Sequence, residues 1–344
     1  MSVKKIIATV AFSVLGISAM AADKPEYTFK LHHLSPPSST MQSKVLEPWA
    51  DKIFKESNGR IKIDIYPSMQ LGGKPPELYD QVRKGIVDMS WTIAGYTPGR
   101  FPNGEVFELP FMPGSAKSTS MALQEYSETE MVKDLKDVHV LALHTHAPGS
   151  FHNRNQAVKT AADLKGLKVR APNKSMGKAL ANMGASPIFM PVTEMAGALS
   201  KGVIDVAILP FEVTNSFKID ELTKYQTEFS GNRGLYAQFF ILSMNNKAYN
   251  KLPDDLKQVI DNNSGIELAG RIGGFFDIAE EPGREAAIAH GNIFYSLPES
   301  EIAAWKAAMQ PVTDEWIKKT KNGAEKYKKA ADLITKYEKL NGEI

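Results

Sequence analysis

The chain has 344 residues, no cysteine, and 41 basic residues against 39 acidic ones. Without cysteine there are no disulfides, zinc–thiolate sites, cysteine nucleophiles or thioether-linked lipid anchor, so stability must come from apolar burial. A near-balanced charge with no basic block gives no reason to expect nucleic acid or a membrane surface as partner, and the length suits two domains.

Lys4 and Lys5 precede an uncharged run from Ile6 to Met20, and Ala19-Met20-Ala21 supplies the small-x-small pattern that signal peptidase cuts after. This order reads as a secretory signal over residues 1–21, with an apolar run too short to span a bilayer comfortably; a buried N-terminal helix is the alternative. The segment takes two lysines with it and leaves basic and acidic residues equal in number. No later stretch approaches ~20 apolar residues, so the mature chain is expected to be soluble in a Gram-negative periplasm.

Tyr27–Leu34 alternates as a strand and runs into Ser35-Pro36-Pro37-Ser38-Ser39-Thr40, where two prolines bar a helix but Ser and Thr can cap the next one. Met41–Ser57 has helical spacing, with Val45, Trp49, Ile53 and Phe54 on one face, and Asn58-Gly59 ends it. Ile61–Tyr66 alternates strictly, as a strand with one buried face does. An internal repeat follows. Leu78–Ile93 and Met195–Leu209 each read as a helix ending in Lys-Gly (Lys84-Gly85, Lys201-Gly202) and then an apolar strand, with Asp88 and Asp205 at the same place. Glycine stops the helix and the strand begins without slack, as in α/β folds. Strands at Ile61–Tyr66 and Pro187–Met190 precede the two copies, so the chain holds two βαβ units and is expected to form two α/β domains. Leu167–Arg170 reads as a strand, Ser175–Met183 as a helix and Tyr236–Met244 as an apolar strand. Helical patterns at Asp254–Asn262, Ile266–Ala289, Glu299–Thr320 and Ala324–Leu340 complete the chain. With no low-complexity linker, crossover strands serve as hinges, placed near His144–Arg154 and Gly234–Gln238.

Arg170 stands at the end of a strand, and ligands of open α/β sheets bind outside the carboxyl ends of the strands. Its planar fork of donors matches a carboxylate bidentately; a surface arginine or structural ion pair is the ordinary alternative. Trp91, Phe211 and Phe239/Phe240 lie on or just after apolar strands facing the same cleft, where aromatics are either core or ligand wall. His144 and His146 are two apart and share a face on a strand, but no third ligand lies at metal spacing, so hinge or cleft histidines are expected rather than a metal site. Either His32 or His33 points to the cleft. Signatures of serine hydrolases, zinc proteases, phosphate loops and dinucleotide folds are absent, and Gly72-Gly73-Lys74, followed by Pro75-Pro76, reads as a turn.

The run His33 with Ser35-Pro36-Pro37-Ser38-Ser39, then Asn58-Gly59-Arg60-Ile61-Lys62-Ile63 and Tyr66-Pro67-Ser68-Met69-Gln70-Leu71-Gly72, resembles the DctP-type receptors of TRAP transporters. Gly85-Ile86-Val87-Asp88, Leu109-Pro110-Phe111, Asp163–Arg170, Gly184-Ala185-Ser186-Pro187, Gly202-Val203-Ile204-Asp205, and Asn245 with Leu252-Pro253 continue the resemblance over essentially the whole mature chain. The resemblance implies a two-domain α/β binding protein of the Venus-flytrap kind, with hinge strands, a long domain-spanning helix and a C-terminal helical region. On that pattern the first domain comprises residues 22–147 and 236–275, the second 148–235 and 276–298, with helices of 299–344 across both.

It further implies that Arg170 holds a ligand carboxylate, with His33, Trp91, His152, Arg154, Met190, Phe211 and Phe240 as further candidate contacts. Some sialic-acid-binding members carry another arginine near the position of Ser150 and polar groups near Leu34, Ile93 and Leu209; here those positions are not basic and largely apolar. The expectation is therefore a non-enzymatic receptor, with neither cofactor nor metal, for an aromatic or other poorly hydroxylated monocarboxylate. A small 2-oxo or hydroxy acid or a dicarboxylate is the alternative ligand. An ABC-type receptor and a secreted hydrolase are the alternative functions. The expected partners are a small organic anion and the TRAP membrane subunits, the receptor itself being a monomer.

Overall fold

A computed structural model describes residues 24–344; the signal-like segment lies outside the described residues. Eleven strands are described: β1 (Tyr27–His33), β2 (Ile61–Tyr66), β3 (Met89–Ile93), β4 (Val138–Thr145), β5 (Ser150–Asn153), β6 (Lys168–Ala171), β7 (Ser186–Phe189), β8 (Val206–Leu209), β9 (Tyr225–Glu228), β10 (Phe239–Asn245) and β11 (Ile293–Ser296). They form two sheets, in the orders β2-β1-β3-β10-β4 and β11-β9-β5-β8-β6-β7. The chain passes from the first sheet to the second between β4 and β5, returns between β9 and β10, and crosses again through the helix Gly265–Ala289 before β11. This is the two-domain flytrap arrangement.

The repeat forms both halves by one local mechanism. Gly85 and Gly202 take φ of 74° and 68°, a left-handed conformation that costs glycine little. The next amide then reaches back to the helix: Ile86 N bonds Gln81 O (2.9 Å) and Val203 N bonds Ala198 O (2.8 Å). These Schellman-type closures stop each helix and launch β3 and β8 into positions beside β1 and β6. The parallel pairing β1/β2 and β6/β7 extends each sheet outward.

One expected helix differs in detail. Met41–Ser57 begins as a π turn (Met41–Leu46) and becomes α-helical over Glu47–Glu56. Pro48 has no amide to give the preceding turn, and the Glu47 amide bonds Gln42 O, five residues back, so the hydrogen-bond register is wider there.

The crossing helix touches both halves closely. Glycine at 273 lets the Ala116 backbone lie where a Cβ would be, and Gly283 does the same for the Phe211 carbonyl. Asp277 accepts the amides of Ala116 (2.7 Å) and Lys117 (2.8 Å) on the first-domain side. Glu280, one turn on, accepts those of Phe211 (3.2 Å) and Glu212 (2.8 Å) on the second. Of the C-terminal helices, Glu299–Lys319 buries Trp305, Met309 and Val312 in the second domain's core with Phe151 and Val169. Gly323–Leu340 sends Ala330, Ile334 and Tyr337 into the first domain's core with Phe107 and Tyr126. No described helix is long and apolar enough to cross a membrane.

Candidate functional site

Between the domains lies a cavity of about 510 Å³, its mouth included. Arg170 reaches it from the carboxyl end of β6 with 1% of its surface exposed. Nε donates to Met190 O (3.2 Å) and Nη1 to Ile208 O (3.1 Å), which fixes the plane of the guanidinium. Nη2 is buried without a partner, and the two bonds the guanidinium makes among the described residues go to backbone carbonyls rather than to a carboxylate. A guanidinium carries five donors, so this fork has N–H groups to spare and a full positive charge to offer.

The groups around it are neutral. Tyr236, fully buried, donates to the same Ile208 carbonyl (2.8 Å). Burial pushes the Tyr236 and Tyr96 phenols up in pKa, with Arg170 beside both as an opposing influence. Tyr96 Oη accepts the Val192 amide (2.8 Å), a bond from the loop after β3 in one domain to the segment after β7 in the other. Gln238 makes a second such link, its Nε2 donating to Pro172 O (2.9 Å). His146 donates through Nδ1 to Ala147 O (2.5 Å) and accepts the Gln238 amide at Nε2 (3.0 Å). Burial, with the Arg170 charge nearby, lowers its pKa to about 4, so it adds no second charge.

The opposite wall is aromatic. Trp91 and Phe240 lie diagonally across the β3/β10 ladder, where Trp91 is opposite Leu242 and Phe240 opposite Ile93, and stack with parallel rings, centroids 5.0 Å apart. His144 extends the stack 4.7 Å from Phe240 and accepts the Trp91 indole N–H at 2.7 Å. Burial holds its pKa down to about 3. Leu34, Ile93, Val192, Leu209, Phe217 and Phe276 are among the further apolar residues of the lining. His144 and His146 thus have their acceptor nitrogens occupied by an indole and an amide. No group of three metal-ligating side chains occurs among the described residues.

The candidates named from sequence fall in four places. Arg170, Trp91 and Phe240 line the cavity. Met190 lends its carbonyl to Arg170. His33, His152 and Phe211 are packed behind the lining, where their bonds are internal. His33 binds Gln42 Oε1 (2.6 Å) and accepts the Ser35 amide, His152 donates to Leu209 O (2.9 Å), and Phe211 packs against His152 and Phe294. Arg154 lies at the other end of the sheet. β5 runs antiparallel to β8 with Ser150 opposite Leu209 and Asn153 opposite Val206, so the residue after Asn153 lies beyond the strand end remote from the cavity, its amide on Asp205 O. Sequence reasoning did not single out Tyr96, Tyr236, Gln238, Glu212 or Phe276. The one signal for Tyr236 and Gln238 was their place in the second crossover.

Residues 31–320 match the family model DctP, described as bacterial extracellular solute-binding protein, family 7. This chain belongs to that family. The DctP-family fold is shared closely with a marine-metagenome TRAP solute-binding protein specific for aromatic acid ligands, solved with metahydroxyphenylacetate. That protein is 49% identical, with TM-score 0.89 over 90% of this chain and 99% of the other. A TRAP solute-binding protein from Rhodoferax ferrireducens T118, solved with copurified benzoate, is 44% identical with TM-score 0.89, covering 91% of this chain and 99% of the other. Among curated relatives, the outer membrane transporter protein TsaT of Comamonas testosteroni is 25% identical over 302 residues, 87% of this chain and 88% of TsaT. The family and fold are those of periplasmic solute receptors, not of enzymes.

Proposed function

We propose that this DctP-family receptor captures an aromatic monocarboxylate in the periplasm and hands it to the membrane subunits of a TRAP transporter. One observation carries the reading: a buried guanidinium with an unpartnered Nη2 faces a cavity walled by stacked Trp91 and Phe240. The carboxylate docks on Arg170 and the ring lies against the aromatic wall, while Tyr96 and Gln238 join the two domains around it. The domain boundaries fall at the three chain crossings. Charge-assisted hydrogen bonds contribute about 1.5–3 kcal/mol each, whereas micromolar affinity requires about 8.2 kcal/mol. Ring burial must therefore supply much of the remainder, which a small aliphatic acid cannot do.

The 49%- and 44%-identical relatives solved with hydroxyphenylacetate and benzoate support the same class. A dicarboxylate fits less well, because Arg170 is the one cation among the described cavity-lining residues. Calorimetry of the mature protein with benzoate, pyruvate and succinate tests the proposal. Benzoate is expected to bind at least about tenfold more tightly than either aliphatic acid; tighter binding of succinate would overturn it.

A further inference from the structure

The two domains also meet at a second, smaller cavity of about 330 Å³, its mouth included. Glu108 lines it from the first domain with Gly95 and Phe101, and Asn173, Lys174 and Ser175 line it from the second. Glu108 is 3% exposed, and its Oε1 accepts the Phe239 amide at 3.3 Å. The preceding amide, that of Gln238, is held by His146 at 3.0 Å. These two bonds fix the start of β10, from which the Gln238 side chain reaches Pro172 O in the second domain (2.9 Å). Gly95 is the point of convergence. A Cβ at Gly95 would lie 3.3 Å from each of Glu108 Oε1, Gln238 Nε2 and Asn173 Cβ, so no two of these atoms are farther apart than twice that distance.

A carboxylate in this place is poorly provided for. Its one hydrogen bond among the described residues is the long bond from Phe239, and Gln238 Nε2 is spent on Pro172. Asn173 Nδ2, buried without a partner on the same cavity, makes no bond to it either. The charge that acts on Glu108 is that of Glu105, of like sign, while Lys174 and Lys178 act on Glu105 instead. Tyr236 is the other titratable group within reach, and burial keeps that phenol neutral. An ion left so in a closed space is costly, and a carboxyl there takes up a proton instead. Burial accordingly pushes Glu108 up to about 8. When the domains part, Asn173, Lys174 and Ser175 withdraw with the second domain, water enters, and the carboxyl returns towards its ordinary range.

We propose that Glu108 is a positioning residue that makes ligand capture proton-coupled: the domains close on the aromatic carboxylate as Glu108 takes up a proton and, once neutral, holds the Gln238 link in place. The inference rests on the receptor reading of the larger cavity. Because the closed form binds the extra proton, its advantage is complete below the ordinary carboxylate range and is lost as pH rises through about 8.

The test is calorimetry of benzoate binding to the mature protein at pH 6 and pH 8, repeated at pH 7 in buffers of different ionisation enthalpy. Benzoate itself is ionised throughout this range. The wild type is expected to take up roughly one proton at pH 7 and to lose at least about tenfold in affinity from pH 6 to pH 8. Glu212, raised to about 7, lines the ligand cavity and can add to both figures, so the difference between wild type and variant carries the assignment. Glu108→Gln keeps an acceptor for the Phe239 amide and should bind within about threefold of wild type at pH 6 and at least about fivefold more tightly than wild type at pH 8. Its proton uptake should be smaller by at least about half a proton. Glu108→Leu lacks the acceptor and should bind about tenfold more weakly than Glu108→Gln at both pH values. Wild-type binding without proton uptake overturns the coupling, and that arm needs no variant to fold. So does a Glu108→Gln protein with the wild-type uptake and pH profile. Glu108→Leu binding as tightly as Glu108→Gln overturns the positioning role. Failure of benzoate to bind the wild type at either pH overturns the aromatic-acid reading and this inference together.

Discussion

Asp88 in the first domain accepts the Lys30 amide of β1, and Asp205 in the second accepts the Lys168 amide of β6, both at 2.9 Å. The two joints superpose in role, and counting forward from them puts His32 and Arg170 at the same strand position. Each side chain bonds the loop beyond the neighbouring parallel strand. His32 Nε2 accepts the Leu71 amide after β2 (3.3 Å), and Arg170 Nε donates to Met190 O after β7 (3.2 Å). There the likeness ends. His32 gives its other nitrogen to Gln81 (2.7 Å) and is saturated, whereas Arg170 retains a buried Nη2 without a partner. The ends of the strands remote from the cleft keep the scaffold alike; the ends at the cleft differ, and function lies in the difference.

Exchanging residues at this shared position is the strongest way to break the comparison. Arg170→Lys replaces a planar fork by a point charge and should weaken benzoate binding about 100-fold or more. His32→Leu leaves the Leu71 amide and Gln81 unpaired and should cost about 1–3 kcal/mol of stability, with Kd almost unchanged. Calorimetry and denaturant melts read the two effects separately. Wild-type affinity in Arg170→Lys would remove the clamp, and a large affinity loss in His32→Leu would erase the distinction between the domains.

The crossing helix offers a second, smaller contrast. An alanine Cβ at Gly273 meets the Ala116 backbone, and one at Gly283 meets the Phe211 carbonyl. Overpacking of this kind costs about 1–3 kcal/mol in either variant. Gly283 abuts the turn that carries Glu212 into the cavity, so Gly283→Ala should also weaken benzoate about fivefold, a local strain of about 1 kcal/mol passed to the site. Gly273→Ala should leave the affinity near wild type. Equal affinity losses would mean that the helix transmits strain to both domains alike.

Much of this architecture was legible because it rests on local rules. Lys-Gly at a helix end, an apolar strand after it and Asp88 or Asp205 beyond are visible as a repeat, and Arg170 stands where a strand ends. What escaped reading depends on contacts between distant segments. The helix Ala116–Glu130 shows no apolar stripe because its buried face includes Ser120 and Gln124. These side chains accept the Thr145 (2.9 Å) and Leu143 (2.8 Å) amides of β4, the edge strand, and so satisfy donors that no neighbouring strand takes. Glu212 reads as a surface carboxylate after Pro210-Phe211, whereas it lines the cavity and its amide is held by Glu280 of the helix that arrives some 70 residues later. His33, His152 and Phe211 lie at the right strand ends but face the wrong side, a matter of side-chain direction that spacing alone does not fix.

The smallest effect concerns the two clamps on the crossing helix, which look alike but titrate apart. Burial outweighs the amides that each carboxyl accepts, raising Asp277 to about 6 and Glu280 to about 8. A carboxyl with a folded pKa above its unfolded one binds more protons when folded. Its contribution is therefore complete below the ordinary carboxylate range and is lost as pH rises through the folded value. For the ligand-free protein the melting temperature should fall as pH climbs from about 5 to 8. Glu280→Gln keeps a neutral acceptor and should flatten the upper part of that slope, while Asp277→Asn flattens the part below about pH 6. Glu212, near 7, titrates inside the same window and preserves part of the slope in both variants. A Glu280→Gln protein whose melting temperature falls with pH as steeply as wild type would show that the second-domain clamp is ionised at neutral pH, and that the two clamps are equivalent after all.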